Sequence, residues 1–288
     1  MRGVKVLKFL QDNTKNKPNE DFLQVFESDD QLICAVADGV TRYVPEGASY
    51  PNPSPARDAA EEFCSASVFS VKDCFSLSSA FKGANKAIAL MNHNLGITTK
   101  TVNYLENDFF GCQGVLGVLS LYNYEDSCNL AYGYIADCGL LVFDKNLFPI
   151  FLSENSVDTL EKFREGWGFS HRDKRKIFWA KTMRNRPHAR HLTYGTLTGE
   201  VEALAYLRTG SLRLEPGDTV LFFSDGILPF VYSKDFRRVI QKQLQNDNKD
   251  KAHAEIAQCI DVLTKELGAK HVSNLDDDKA FVAFSVVT

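Results

Sequence analysis

The chain has 288 residues, 44% hydrophobic and 24% charged, which is ordinary for a globular protein able to bury a core as one large domain or two small ones. Its net charge of −4 makes no global case for nucleic-acid binding, and no apolar run approaches the ~20 residues of a membrane-spanning helix. Seven cysteines (Cys34, Cys64, Cys74, Cys112, Cys128, Cys138 and Cys259) are scattered without a CxxC pair. That spacing excludes a zinc ribbon and a disulfide framework, and a reducing, cytoplasmic setting is expected.

In chain order, Val4–Leu10 predicts a first strand rather than a signal peptide, because Lys5 and Lys8 split its apolar residues. Phe22–Phe26 and Leu32–Ala37 predict two strands joined by a turn at Ser28–Asp30. After a loop rich in Pro and Gly, Ser54-Pro55 reads as an N-cap followed by Pro at the first helical position. A second helix over Ser76–Asn94 carries Leu77, Ala80, Phe81, Ala84, Ala87, Ile88 and Met91 at helical spacing. Strands are predicted at Gly114–Leu121, Cys128–Ala136 and Leu140–Phe143, then around Ala203–Tyr206 and Thr219–Phe223. Ser233 caps a further helix, Lys249–Leu267 is amphipathic, and Ala280–Val287 is the last strand. Many strands joined by short turns, without regular βαβ alternation, predict an α+β protein of antiparallel sheets with helices packed outside. One domain over residues 1–288 is expected, since no repeat or linker interrupts the chain.

Carboxylates recur at the predicted strand ends. Asn19-Glu20-Asp21 precedes a strand, Asp38-Gly39 ends one, Asp137 lies in a tight turn, Asp225-Gly226 ends another strand, and Asp276-Asp277-Asp278 leads into the last. Singly, each reads as a turn or cap residue. Gathered at one sheet edge they would repel one another unless cations neutralised them, and hard cations such as Mg²⁺ or Mn²⁺ take oxygen ligands. Glycine after Asp permits close backbone approach.

The motifs NEDF, AVADGV, IADCGLLVF, LEPGDTVLFFSDGI and DDDKAFVAFSV, spread from residue 19 to about 286, together resemble the metal-dependent serine/threonine protein phosphatases of type 2C, the PPM family. The most specific of them is Leu214–Ile227, which joins a Pro-Gly-Asp turn to the Ser-Asp-Gly strand. The resemblance implies a four-layer α-β-β-α sandwich of two antiparallel sheets flanked by helices. It implies two Mn²⁺ or Mg²⁺ ions and a third held more weakly. Asp38 would bridge the two ions, and Gly39 would offer its carbonyl. Asp225 and Asp277 would complete the first site, with Asp278 as the alternative register. Glu20, with Asp21 beside it, would hold the second ion, and Asp137 the third. Asp38 and Asp225 are thus the expected catalytic residues of a phosphomonoesterase acting on phosphorylated protein through a metal-bridging water.

Several positions depart from the family pattern. Its phosphate-gripping arginine falls on Asn16, leaving Lys15 and Lys17 to supply charge to substrate without the bidentate fork of Arg. Val40 stands where many members carry a histidine, Ala136 where the turn has glycine, and Gly111–Gly114 reads Gly-Cys-Gln-Gly. Cys138 reads as a replacement for serine, not a nucleophile. These losses motivate an alternative: a phosphatase-like binding or regulatory module that keeps the sheets without turnover.

Within a basic insertion at about 155–195, His171–His191 holds eight Lys/Arg against one acid. It reads either as a solvated helix with Ile177, Phe178 and Ala180–Met183 packed inward, or as a positive rim that captures acidic substrate. No nucleic-acid motif accompanies it, its three histidines lack metal-ligand spacing, and a monomer without membrane attachment is expected.

Overall fold

The computed structural model describes residues 4–14, 17–40, 49–73, 76–104, 107–121, 128–157, 172–189, 192–246, 248–269 and 274–286. Among these, ten strands form two five-stranded antiparallel sheets. One sheet runs in the order β1 (Val4–Gln11), β10 (Lys279–Val286), β9 (Thr219–Phe223), β6 (Gly139–Phe143), β7 (Pro149–Leu152). The other runs β2 (Asp21–Glu27), β3 (Gln31–Gly39), β4 (Cys112–Ser120), β5 (Cys128–Ile135), β8 (Arg208–Leu214). The helices are α1 (Pro55–Asp73), α2 (Leu77–Asn94), α3 (Arg172–Thr182), α4 (Leu228–Val231), α5 (Lys234–Leu244) and α6 (Lys249–Gly268).

Side-chain alternation explains why the central strands are apolar throughout. In β3, Leu32, Cys34 and Val36 face the opposite sheet, where they join Leu140, Val142, Val220, Phe222, Val282 and Phe284. Ile33, Ala35 and Ala37 face outward, against Phe63, Phe81 and Ile88 of α1 and α2. On the other outer face, Phe223, Phe281 and Ala283 pack against Phe236 and Ile240 of α5 and Ile256 and Ile260 of α6. A strand buried on both faces has no polar side to show. The result is the four-layer α-β-β-α sandwich.

Helix entries follow local chemistry. Pro55 occupies the first position of α1, and Ser76, Ser233 and Asn248 cap α2, α5 and α6 through side-chain oxygens that accept backbone N–H groups. The Phe63 and Phe81 rings meet edge to face with centroids 5.2 Å apart. A Cβ on Gly114 would strike the Phe63 ring, so the Gly-Cys-Gln-Gly run ends on a glycine where a helix side chain presses on the sheet.

The order corrects the reading in two places. Ala203–Tyr206, expected as a strand, belongs to a 3-10 turn over Val201–Tyr206, and the strand that follows, β8, begins at Arg208. Neither this strand nor β7 was read from the sequence: both lie at sheet edges, β8 carries only Leu212 and Leu214 as apolar side chains, and β7, Pro-Ile-Phe-Leu, is only four residues long. Of the basic insertion, residues 158–171, 190 and 191 lie outside the described residues.

Candidate active site

Hydrogen-bond register brings the carboxylates to one edge of the sandwich. Asp21 at the start of β2 faces Asp38 at the end of β3, and Asp38 faces Gln113 of β4 on its other side. Gln113 Oε1 accepts the backbone N–H of Asp137 at 3.1 Å, fixing the turn between β5 and β6. That turn requires a left-handed residue, which here is Ala136 at φ 69°. Asp225 leaves β9 in a 3-10 turn, and its Oδ2 accepts from Asn274 Nδ2 at 3.0 Å. Ser224 joins three elements: its hydroxyl donates to Asp21 Oδ2 at 2.6 Å and accepts the Ala280 N–H at 3.0 Å.

Both Asp-Gly glycines are required by close packing. A Cβ on Gly39 would collide with the Ala56 carbonyl at the start of α1, and one on Gly226 with the Asp278 carbonyl. The Gly39 N–H also donates to the Glu20 carbonyl at 3.0 Å. These contacts lock the ends of β2, β3, β9 and β10 into one edge.

The acids form two tiers. Asp38, Asp137, Asp225 and Asp277 are half-buried, whereas Glu20, Asp21 and Asp278 are buried. Desolvation, then the charges of Asp225, Asp21, Asp137 and Asp277, pushes Asp38 well above the usual carboxylate range. Asp21 moves the same way, first by burial and then by Asp225 and Asp278, against the opposing Ser224 hydrogen bond. Asp21 Oδ1 is buried and has no donor among the described residues.

Asp278 has a different task. Its carboxylate accepts from the Asn13 N–H at 2.9 Å, Asn13 Nδ2 at 2.6 Å and the Glu20 N–H at 3.0 Å. It clamps the segment after β1 to the start of β2, while Asp277 is the residue whose charge reaches Asp38. Buried Lys279 donates to the carbonyls of Leu275 and Asp277, each at 2.8 Å, and shapes that loop.

Glu20 and Lys17 sit differently from the expected ligand and substrate residues. Glu20 Oε1 accepts from the Tyr50 hydroxyl and from Ser54 Oγ at 2.5 Å. Its Oε2 lies 3.3 Å from Lys17 Nζ, which is also 3.5 Å from Asp277 Oδ1 and 3.9 Å from Asp278 Oδ2. Burial alone would lower the Lys17 pKa, but Glu20, Asp277, Asp278 and Asp38 outweigh it and hold it above its ordinary value. Lys15 and Asn16 lie outside the described residues. Tyr50, Asn13 and Lys279 went unremarked in the sequence and Ser54 was read only as a helix cap, because nothing local shows that their side chains turn onto these acids.

The residues therefore fit a cation beside Asp38: four half-buried acids concentrate negative charge there, and the Asp21 oxygen lacks a donor. They fit by charge more than as a finished cage, for among the described residues no three His, Cys, Asp or Glu side chains stand together as a ligand set. Mg²⁺-type ions keep several waters, so a few carboxylates suffice. At Glu20 a second ion does not fit, because both oxygens are already engaged.

Cys138 adjoins this edge but is buried, and burial followed by the neighbouring acids pushes its thiol well above the ordinary value. In the basic segment, Arg184 is buried and bidentate to Asp108 at 2.7 and 3.0 Å, and Arg186 reaches Glu200 at 3.2 Å. Met183 is buried and Ile177 and Phe178 half-buried, in keeping with the inward-packed reading; the side chains of Arg172–Lys176 lie outside the described residues.

No protein-family profile matches the chain, and no curated protein matches its sequence. Solved structures do match its fold. The Mycobacterium tuberculosis serine/threonine phosphatase PstP/Ppp is 16% identical, with 99% of this chain and 100% of that one covered at a TM-score of 0.57. The catalytic domain of PstP in complex with two manganese ions is likewise 16% identical, with 99% of each chain covered at 0.55. RsbX in complex with magnesium is 11% identical, covering 99% of this chain and 96% of its own at 0.54.

Proposed function

We propose that this chain, which has the fold of the bacterial PPM-type phosphatases, is a divalent-metal-dependent phosphomonoesterase acting on phosphoserine or phosphothreonine in proteins. The observation that carries the reading is the convergence of Asp21, Asp137, Asp225 and Asp277 on Asp38 at one edge of that fold. Asp38, Asp225, Asp277 and the Gly39 carbonyl would hold Mn²⁺ or Mg²⁺, with Asp137 beside them. When bound, such an ion supplies an acidified water and neutralises charge on the phosphoryl group. The chain's own residues fix that edge: Ser224 orients Asp21, Asn274 orients Asp225, and Gln113 orients the Asp137 turn. Cys138 is held protonated by burial and offers no nucleophile, which supports direct attack by water. Six free cysteines among the described residues support a reducing, cytoplasmic setting.

The engaged state of Glu20 and Lys17 favours a second reading, a phosphoprotein-binding module without turnover. Hydrolysis of a phosphopeptide with Mn²⁺, with chelator and in Asp38→Asn separates the two. The phosphatase reading expects turnover that both chelation and the substitution abolish. Activity that survives either one sinks the metal mechanism, and retained phosphopeptide binding without turnover under any metal selects the binding module.

A further inference from the structure

The Glu20 end of the cluster already contains a cation. The Lys17 ammonium touches carboxylate oxygens of Glu20, Asp277 and Asp278 within 3.9 Å, and its side chain is only 19% exposed. The backbone holds it there: Asn13 Nδ2 donates to the Lys17 carbonyl at 3.2 Å, and Asn13 is itself fixed by Asp278. The remaining oxygen of Glu20 is taken by Tyr50 and Ser54 hydroxyls. A divalent ion binding Glu20 would have to expel the ammonium from Oε2 or the hydroxyl donors from Oε1, in a place where Lys17 repels it. The opposite end is different, with half-buried Asp38, Asp137 and Asp225 and the donorless oxygen of Asp21.

We infer that Lys17 is a built-in substitute for a second metal ion, so that this site takes one divalent ion, beside Asp38, Asp225 and Asp277, where the related PstP structure holds two. The inference rests on the metal-dependent reading above and sharpens it. Lys17 thereby acts as a positioning residue on the cluster's carboxylates, in place of its expected role on substrate phosphate. Its ammonium donates to Glu20 and neutralises Asp277 and Asp278 as ion pairs, without requiring the octahedral geometry of a metal.

The test counts Mn²⁺ bound to the full chain at sub-millimolar free metal, by equilibrium dialysis and by electron paramagnetic resonance. One ion per chain with an uncoupled spectrum is expected for the wild type and Lys17→Arg. Two ions with a spin-coupled spectrum are expected for Lys17→Met, with second-site affinity raised at least tenfold. Two ions in the wild type overturn the inference and leave the phosphatase reading standing, whereas none overturns both. One ion in a folded Lys17→Met also overturns it, because Lys17 then excludes nothing. Should Lys17→Met fail to fold, the wild-type and Lys17→Arg counts decide alone.

Discussion

Ser224 ties together three parts of the chain: Asp21 of β2, the end of β9 and the start of β10. Asp21 already has one buried oxygen without a donor among the described residues. In Ser224→Ala the other oxygen loses its hydroxyl and the Ala280 N–H its acceptor, which should cost about 1–3 kcal/mol in a urea-unfolding measurement. The same acids set a pH dependence. Asp21 and Asp38 bind protons more tightly folded than unfolded, so the native state holds more protons above the ordinary carboxylate pKa of about 4. Stability in chelator should therefore fall as pH rises from that value through the raised pKa values. Mn²⁺ at about a hundredfold its Kd should restore about 2.7 kcal/mol near neutral pH, read as an upward shift in Tm. A chelated protein more stable at pH 7 than at pH 5 would contradict this account of the two acids.

Elements are held at the site edge by backbone approach. Gly226 packs on the Asp278 carbonyl and Gly39 on the carbonyls of Ala56 and Glu20. Gly226→Ala and Gly39→Ala each force apart elements that have no flexible side chain to yield. Each should destabilise by at least the ~1–3 kcal/mol typical of overpacking, with metal affinity falling as the edge opens. Gly268→Ala is the control, since its Cβ would meet open space near the end of α6. Equal thermal shifts for Gly226→Ala and Gly268→Ala would show that the close approach does not matter. The strands these turns join were legible from their apolar runs because β3, β9 and β10 are buried on both faces. Edge strands β7 and β8 were not, because β7 is an apolar run of only four residues and β8, largely exposed, carries just Leu212 and Leu214 as apolar side chains.

Across the whole molecule, the basic segment is drawn partly into the interior. Arg184 crosses 76 residues of sequence to make a bidentate pair with Asp108, with Glu200 3.7 Å away. Removing one partner strands the other charge, so Arg184→Met should cost about 3–5 kcal/mol, whereas Arg184→Met with Asp108→Leu should recover much of the loss. A single Arg184→Met variant within experimental error of wild type would show that the pair is dispensable. A charge run alone gives no hint of this, since its acidic partners lie in other segments.

By itself the sequence determined the alternation of strands and helices, the Asp-Gly strand ends and the order of acids that point to one edge. These are local signals: burial on both faces, turn chemistry and capping each act within a few residues. Only the tertiary structure decided what each acid does there. It made Asp278 a clamp on Asn13 and Glu20, surrounded Glu20 with Tyr50, Ser54 and Lys17, and left Asp38 amid half-buried acids. The physical reason is that a carboxylate's role depends on which donors reach it, and here those donors come from segments as much as 265 residues apart.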